Sequence, residues 1–345
     1  MWEIRHAGAK GLGVFASRPI ARGTRILAEE PWLEVKDARG VFAAVRRLNG
    51  RDKEAFLRLS ISPVRRSSFR AWAHAATHVA RQGLHDLIRV ARENGRGLPQ
   101  LLPNAISTIL EYPAILSVFR NNNFDLGNRQ AVFRHISRLN HACKPSAQGN
   151  FNTALGRFTI HALRPIEPGE EITISYLSEH GALKECRQQR LLSSYGFLCD
   201  CPACDTTTPR GRQSEARRLQ LQASLHAWQE GITDGGLSGH VAELHIVESM
   251  LQMYQVEGIF GREVATTYLA AAELAAKAGM MDDVAEYVEK GLRMEKDCCG
   301  TDSPTFQASL ERARGITTGL GASGARPVSN PEEPASHQVN YEPWM

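Results

Sequence analysis

Tyr195-Gly196-Phe197-Leu198-Cys199-Asp200-Cys201-Pro202-Ala203-Cys204, taken together with Leu139-Asn140-His141-Ala142-Cys143, decides how this chain is read. Thiolates separated by one and two residues can converge on a single tetrahedral zinc ion, which takes four sulfurs and brings no redox chemistry. Cys199, Cys201 and Cys204 are local, so the fourth ligand comes from a distant segment. Cys143 fits that role. Cys186 lies in a helix-like stretch, and Cys298 and Cys299 lie far off in a region of different composition. The alternative is a group of reduced structural thiols, with a disulfide as a lesser variant. A disulfide framework is disfavoured because 345 residues hold only 7 cysteines and no basic-then-apolar secretory segment opens the chain. A reducing compartment is therefore expected.

The composition allows two or three domains with real cores: 42% of residues are hydrophobic and 23% are charged. A formal charge of +4 is mild, so nucleic-acid binding is not implied by charge. No run approaches the roughly 20 apolar residues that a bilayer crossing needs. Direct contact with nucleic acid or membrane is not expected, and the chain is expected to be a monomer in the cytoplasm, the nucleus or both.

From Trp2 to Val35 short apolar runs alternate with turn residues, which predicts strands joined by glycine turns. From Asp37 to about Gly97 the apolar spacing becomes helical among many arginines, an insert. A further helix is predicted over Ile106–Phe119, interrupted or kinked at Pro113, with a polar break at Asn121-Asn122-Asn123. Strands return at Ala131–Ser137, Arg157–Ala162 and Glu171–Tyr176, where β-branched and polar residues alternate. Leu183–Ser194 resumes helical spacing and stops at Tyr195-Gly196, with the glycine as C-cap. Beyond Pro209 apolar stripes predict helices over 213–230, 240–257, 262–278 and 282–297, then one capped by Ser303 before Pro304. These helix pairs are similar to tetratricopeptide stacking, without its repeated signature. The tail from Gly321 has a disordered composition.

Four motifs in order carry a resemblance: Lys10-Gly11-Leu12-Gly13-Val14-Phe15-Ala16, Asn140-His141-Ala142-Cys143-Lys144-Pro145, Gly169 to Tyr176, and Tyr195 to Cys204. Together they resemble the SET-domain lysine methyltransferases over about three fifths of the chain. Within that family the split layout is similar to the SET-and-MYND group. No cysteine precedes Cys143, so a MYND finger is absent from this sequence and the closer likeness is to fungal SET proteins without one. The resemblance implies an α+β class: a β-rich SET fold of small sheets with a C-terminal pseudoknot, a helical insert, a post-SET zinc cluster and an all-α C-terminal domain. The implied boundaries are 1–36 and 105–182 for the SET parts, 37–104 for the insert, 183–208 for the zinc segment, 209–320 for the helical domain and 321–345 for the tail.

The chemistry this implies is methyl transfer from S-adenosylmethionine to an amine. An in-line displacement needs donor methyl and acceptor lone pair aligned, and a lysine held unprotonated by a dry channel. By resemblance Tyr176 and Tyr195 are the catalytic tyrosines, the first near the transferring methyl and the second along the lysine channel. Lys10, Gly11, Leu12, Gly13, Asn122, Asn140, His141, Tyr176 and Phe197 would hold the donor, with Phe197 over the adenine. Cys143, Cys199, Cys201 and Cys204 would hold one structural zinc, and that ion would lock both walls of the cleft. Gly11-Leu12-Gly13 is no dinucleotide fingerprint, because no βαβ unit follows.

Two positions depart from the family: Ala142 stands where serine is usual, and Ser146 where asparagine is usual. The expected activity is methylation of lysine in a protein. The alternatives are a SET-fold scaffold without turnover and a SET enzyme recruited to a small-molecule acceptor. Arg210, Arg212, Arg217 and Arg218 read as a solvated helix start, and Cys298-Cys299 as structural or merely exposed. His135, His161 and His180 show neither triad nor metal spacing.

Overall fold

A computed structural model describes residues 1–37, 40–61, 77, 111, 113–178, 181–231 and 237–319. Most of the expected insert, the 106–110 stretch, His180 and the 321–345 tail lie outside these residues. Three small sheets carry the first half of the chain. The first has strand order β1-β2-β10-β7, with β1 at Trp2–His6, β2 at Leu12–Ala16, β10 at Glu171–Ile174 and β7 at Asn140–His141. In the second, β3 (Arg25–Glu29) pairs with β9 (Arg157–Ala162) and β9 with β8 (Ala147–Asn152). The third joins β4 (Leu33–Val35), β6 (Gln130–Val132) and β5 (Phe124–Asp125).

β10 is the strand that makes a site. It runs antiparallel to β2, Ile172 opposite Val14, and parallel to β7, Thr173 beside Asn140 and Ile174 beside His141. Its alternation puts Ile172 and Ile174 into the core with Val14, Ala16 and Ile136. Phe124, Phe133 and Phe158 meet edge-on beneath, with Phe124 and Phe158 centroids 4.8 Å apart. Such offset ring pairs add to the stabilisation that burial alone supplies.

The strand expected over Ala131–Ser137 stops at Val132. Glu29 explains why. Its carboxylate accepts from the backbone N–H groups of Arg134, His135 and Ile136 at 2.9, 3.1 and 3.0 Å, so those donors cannot serve a ladder. The chain turns there into a 3-10 turn at Ile136–Arg138. The polar break expected at Asn121 also moves, because helical residues run from 113 through 122. Asn122 Nδ2 donates to the Val118 carbonyl at 2.7 Å, satisfying the last turn.

The insert begins with α1 (Val41–Arg46) and α2 (Gly50–Leu57), which bury Phe42, Val45 and Phe56 against β4 and β6. α3 (Lys184–Tyr195) ends as the sequence predicts, with Gly196 in the left-handed region at φ 78°. The C-terminal helices are α4 (Pro209–Gly231), α5 (Leu237–Glu257), α6 (Arg262–Lys277), α7 (Met281–Cys299) and α8 (Pro304–Thr317). Consecutive helices pack on one another, and α7 also lies on β8 and β9. The solvated start expected for α4 is corrected at two places. Arg218 is only 2% exposed, and Arg217 meets the Glu257 carboxylate at the end of α5. Cys298 and Cys299 are fully buried, which removes the exposed option.

Candidate active site and zinc centre

A cavity of about 440 Å³ opens between the β7/β10 edge and the segment that follows α3. Lys10, Gly11, Leu12, Asn122, Asn140, His141, Tyr176, Tyr195 and Phe197, all singled out from the sequence, line it. Gly13 does not. A Cβ there would come within 2.6 Å of Glu171 Oε1, 2.9 Å of Asn140 Nδ2 and 3.0 Å of Ala7 Cβ, so this glycine makes room for three side chains. The two polar ones form a network at the cavity edge. Asn140 Nδ2 donates to Glu171 Oε1 at 2.7 Å and to the Leu12 carbonyl at 3.2 Å, while Lys10 Nζ lies 3.3 Å from Glu171 Oε2. Asn122 faces the cavity, yet its amide nitrogen is committed to the carbonyls of Ser60 and Val118, both at 2.7 Å.

Four rings gather on one side. Tyr176 and Tyr195 have centroids 4.8 Å apart, His141 lies 5.3 Å from Tyr176, and Phe197 lies 6.1 to 6.4 Å from all three. Tyr176 Oη donates to the Leu139 carbonyl at 2.7 Å, so any further hydrogen bond at this oxygen is one it accepts. Burial first, then Tyr195 and Glu171, pushes the Tyr176 phenol above its ordinary value. It stays neutral at physiological pH and cannot serve as the base. His141 has a defined tautomer: its Nδ1 accepts from the backbone N–H of Tyr176 at 3.0 Å, which leaves Nε2 as the donor, 3.3 Å from Cys143 Sγ.

Cys143, Cys199, Cys201 and Cys204 bring four sulfurs within 4.8 Å of one another, all buried. A tetrahedron of 2.3 Å zinc–sulfur bonds has edges of about 3.8 Å. The Cys143–Cys199 and Cys143–Cys204 separations are 3.9 and 3.5 Å, which fit that ion. Local chemistry also fits. Four sulfurs in an apolar pocket need positive charge, and Arg187 supplies part of it from 3.8 Å. Gln188 fixes the loop, with its amide bonded to both the N–H and the carbonyl of Cys199 at 2.7 and 2.6 Å.

Sequence reasoning missed Glu171, Arg187 and Gln188. Glu171 stands inside a motif already quoted, but nothing local marks it as the partner of Asn140 and Lys10. Arg187 and Gln188 precede the cysteine cluster by about three helical turns, and only the fold brings them back to it.

Residues 11–177 match the family model described as SET domain. That stretch of the chain is a SET domain. The chain is 28% identical over 299 residues to histone-lysine N-methyltransferase set5 of Schizosaccharomyces pombe, covering 86% of this chain and 78% of that relative. Human histone-lysine N-methyltransferase SMYD3 is 37% identical over 91 residues, 25% of this chain and 21% of that one. Among solved structures, Rubisco LSMT bound to AdoMet aligns over 92% of this chain and 85% of its own at TM-score 0.37 and 13% identity. The SET match spans the strands that build the cavity, from β2 to just beyond β10, and ends before the zinc segment and the helical region.

Proposed function

We propose that this chain is an S-adenosylmethionine-dependent lysine N-methyltransferase acting on a protein. The observation that carries the reading is the cavity in which Tyr176, Tyr195 and Phe197 face Asn140 and His141, with four zinc-competent sulfurs directly behind. The donor, when bound, supplies an electrophilic methyl group. Asn140, His141 and Phe197 would hold it.

The chain's own residues do the rest. The rings of Tyr176 and Tyr195 make an apolar wall that excludes water, which disfavours an ammonium and keeps an entering lysine amine available as nucleophile. The Tyr176 hydroxyl, oriented by the Leu139 carbonyl, presents oxygen lone pairs toward the transfer and does not itself take a proton. Positioning of donor and acceptor is the main contribution to rate.

The scaffold alternative rests on Ala142 and Ser146, and the Ser146 side chain is put to structural use here. Ser146 is fully buried, its Oγ accepts from the Thr173 N–H at 3.0 Å and reaches the Glu171 carbonyl at 3.4 Å, so it ties β10 in place. The Ala142 N–H donates to the Ile174 carbonyl at 3.1 Å. That bond is made by the backbone and would form with serine at this position too. A protein substrate agrees with the names of the relatives, several of which are histone-lysine methyltransferases; a histone is one candidate among proteins.

The test is transfer of labelled methyl groups into a cell extract by the purified chain. Label should enter lysines of protein, and Tyr176→Phe should slow the transfer about 100-fold, the loss typical of deleting one oriented polar group from a transition state. Equal rates for Tyr176→Phe and the parent would sink this mechanism, and label confined to metabolites would assign a different acceptor.

A further inference from the structure

Arg187 is 1% exposed, and among the described residues no carboxylate pairs with it. A guanidinium taken out of water needs an anion. Its hydrogen bonds go to neutral carbonyls, Ala182 through Nη1 and Ala203 through Nη2 at 3.0 Å, and the remaining contact is Cys204 Sγ at 3.8 Å. The anion that balances Arg187 is therefore the sulfur cluster. Zinc with four thiolates carries a net charge of about −2, so one adjacent buried cation offsets part of that charge.

A second donor approaches from β7. His141 is buried, its Nε2 points at Cys143 Sγ, and its Nδ1 holds the Tyr176 backbone N–H. Arg187 has a matching link. On α3 the buried residues are Arg187, Leu191 and Tyr195, spaced by four, which places them on one face of the helix. One end of that stripe meets the sulfurs and the other end enters the cleft.

Resting on the zinc reading above, we propose that the zinc centre sets the position of both cleft tyrosines through two outer donors, His141 for Tyr176 and Arg187 for Tyr195. Each donor spans from a ligand sulfur to the element that carries one tyrosine. His141 does so through a single backbone hydrogen bond, and Arg187 through two turns of α3. Arg187 is a positioning residue, and His141 positions Tyr176 in addition to lining the donor cavity. The arrangement also explains why histidine follows Asn140: a phenylalanine would fill the space but could neither accept from Tyr176 nor donate to Cys143.

The experiment uses the full chain, loaded with ¹¹³Cd in place of zinc, and looks for scalar coupling between the metal and side-chain protons across N–H···S bonds. Coupling from an Arg187 Nη–H and from the His141 Nε2–H is expected. Arg187→Met, kept saturated with zinc, should release the metal to a chromophoric chelator at least about tenfold faster. It should also shift the thiolate-to-metal charge-transfer band of the cobalt-substituted protein to longer wavelength. Arg187→Lys should recover part of both, since it keeps the charge and loses the fork. Metal bound at one equivalent with no coupling from either residue overturns the proposal whether or not Arg187→Met folds. A folded Arg187→Met with parental metal release and spectrum overturns it too. A purified chain that takes up no metal would overturn the zinc reading itself. A metal-loaded, coupled chain without methyl transfer would instead overturn the proposed activity.

Discussion

Cys143, Cys199, Cys201 and Cys204 are buried beside the cavity, and Cys298 and Cys299 are buried where α7 ends, yet the two groups do different things. The first four sulfurs converge, with Arg187 and His141 aimed at them. The second two sit in the packing between α7 and β8. Cys299 Sγ donates to the Glu295 carbonyl at 3.1 Å, Asn150 Nδ2 donates to the Cys298 carbonyl at 2.8 Å, and burial pushes the Cys299 thiol up to about 12. Burial alone does not make a cysteine a ligand. Convergence of sulfurs and the presence of donors do, whereas an isolated buried thiol behaves as a small apolar group.

The contrast predicts that the two regions fail independently. Stripping zinc with a chelator should cost the cleft region on the order of 10 kcal/mol of gross binding energy. Calorimetry should then find no affinity for S-adenosylmethionine, while the far-ultraviolet helical signal of α5 to α8 persists. Undiminished affinity in a zinc-free sample would remove the distinction altogether. Leu269→Ala tests the other side. Leu269 on α6 is 1% exposed and packs against Gly291 on α7, and truncating it should cost about 2 to 5 kcal/mol in urea unfolding with zinc content unchanged. Parallel loss of zinc would mean that the regions are one cooperative unit.

The smallest effect is one of pH. His161 on β9 is 1% exposed, accepts from Arg25 Nε at 3.2 Å, and is held down to about 4, by burial first and by Arg25 second. Its ordinary value is 6.5, so the unfolded chain takes up this proton first as pH falls. Stability from this group is complete above pH 6.5, declines between 6.5 and 4, and is level below. Between pH 7 and 5 the decline is about 2 kcal/mol. Urea midpoints at those two values should separate for the parent and draw together for His161→Gln; an identical separation in both would assign the titration to other groups.

Much of this was legible beforehand because it is local. Helix ends marked by Gly196 and by Ser303-Pro304, the β10 run and the closely spaced cysteines each carry their signal within a few residues. What escaped depends on partners brought from afar. β7 is only two residues long and exists because β10 lies beside it. The end of β6 is set by Glu29, about 100 residues earlier, and the burial of Arg218 by the packing of α4. Gly13 was read toward a ligand, and the side chains of Glu171, Asn140 and Ala7 also crowd it. Glycine announces a close approach without saying what approaches.

β10 completes a hairpin that leaves the ribosome long before it. β1 and β2 pair at once, but a two-stranded ribbon is marginal in water, and the strand that covers the open edge of β2 begins at Glu171, roughly 150 residues later. At ordinary elongation rates that delay is roughly 8 to 30 s. For that interval Val14 and Ala16 have no third strand beside them, and the unpaired backbone of β2 can take any extended segment that reaches it first. The position of the last strand of the SET unit thus makes synthesis itself the period in which the N-terminus is most exposed to wrong partners.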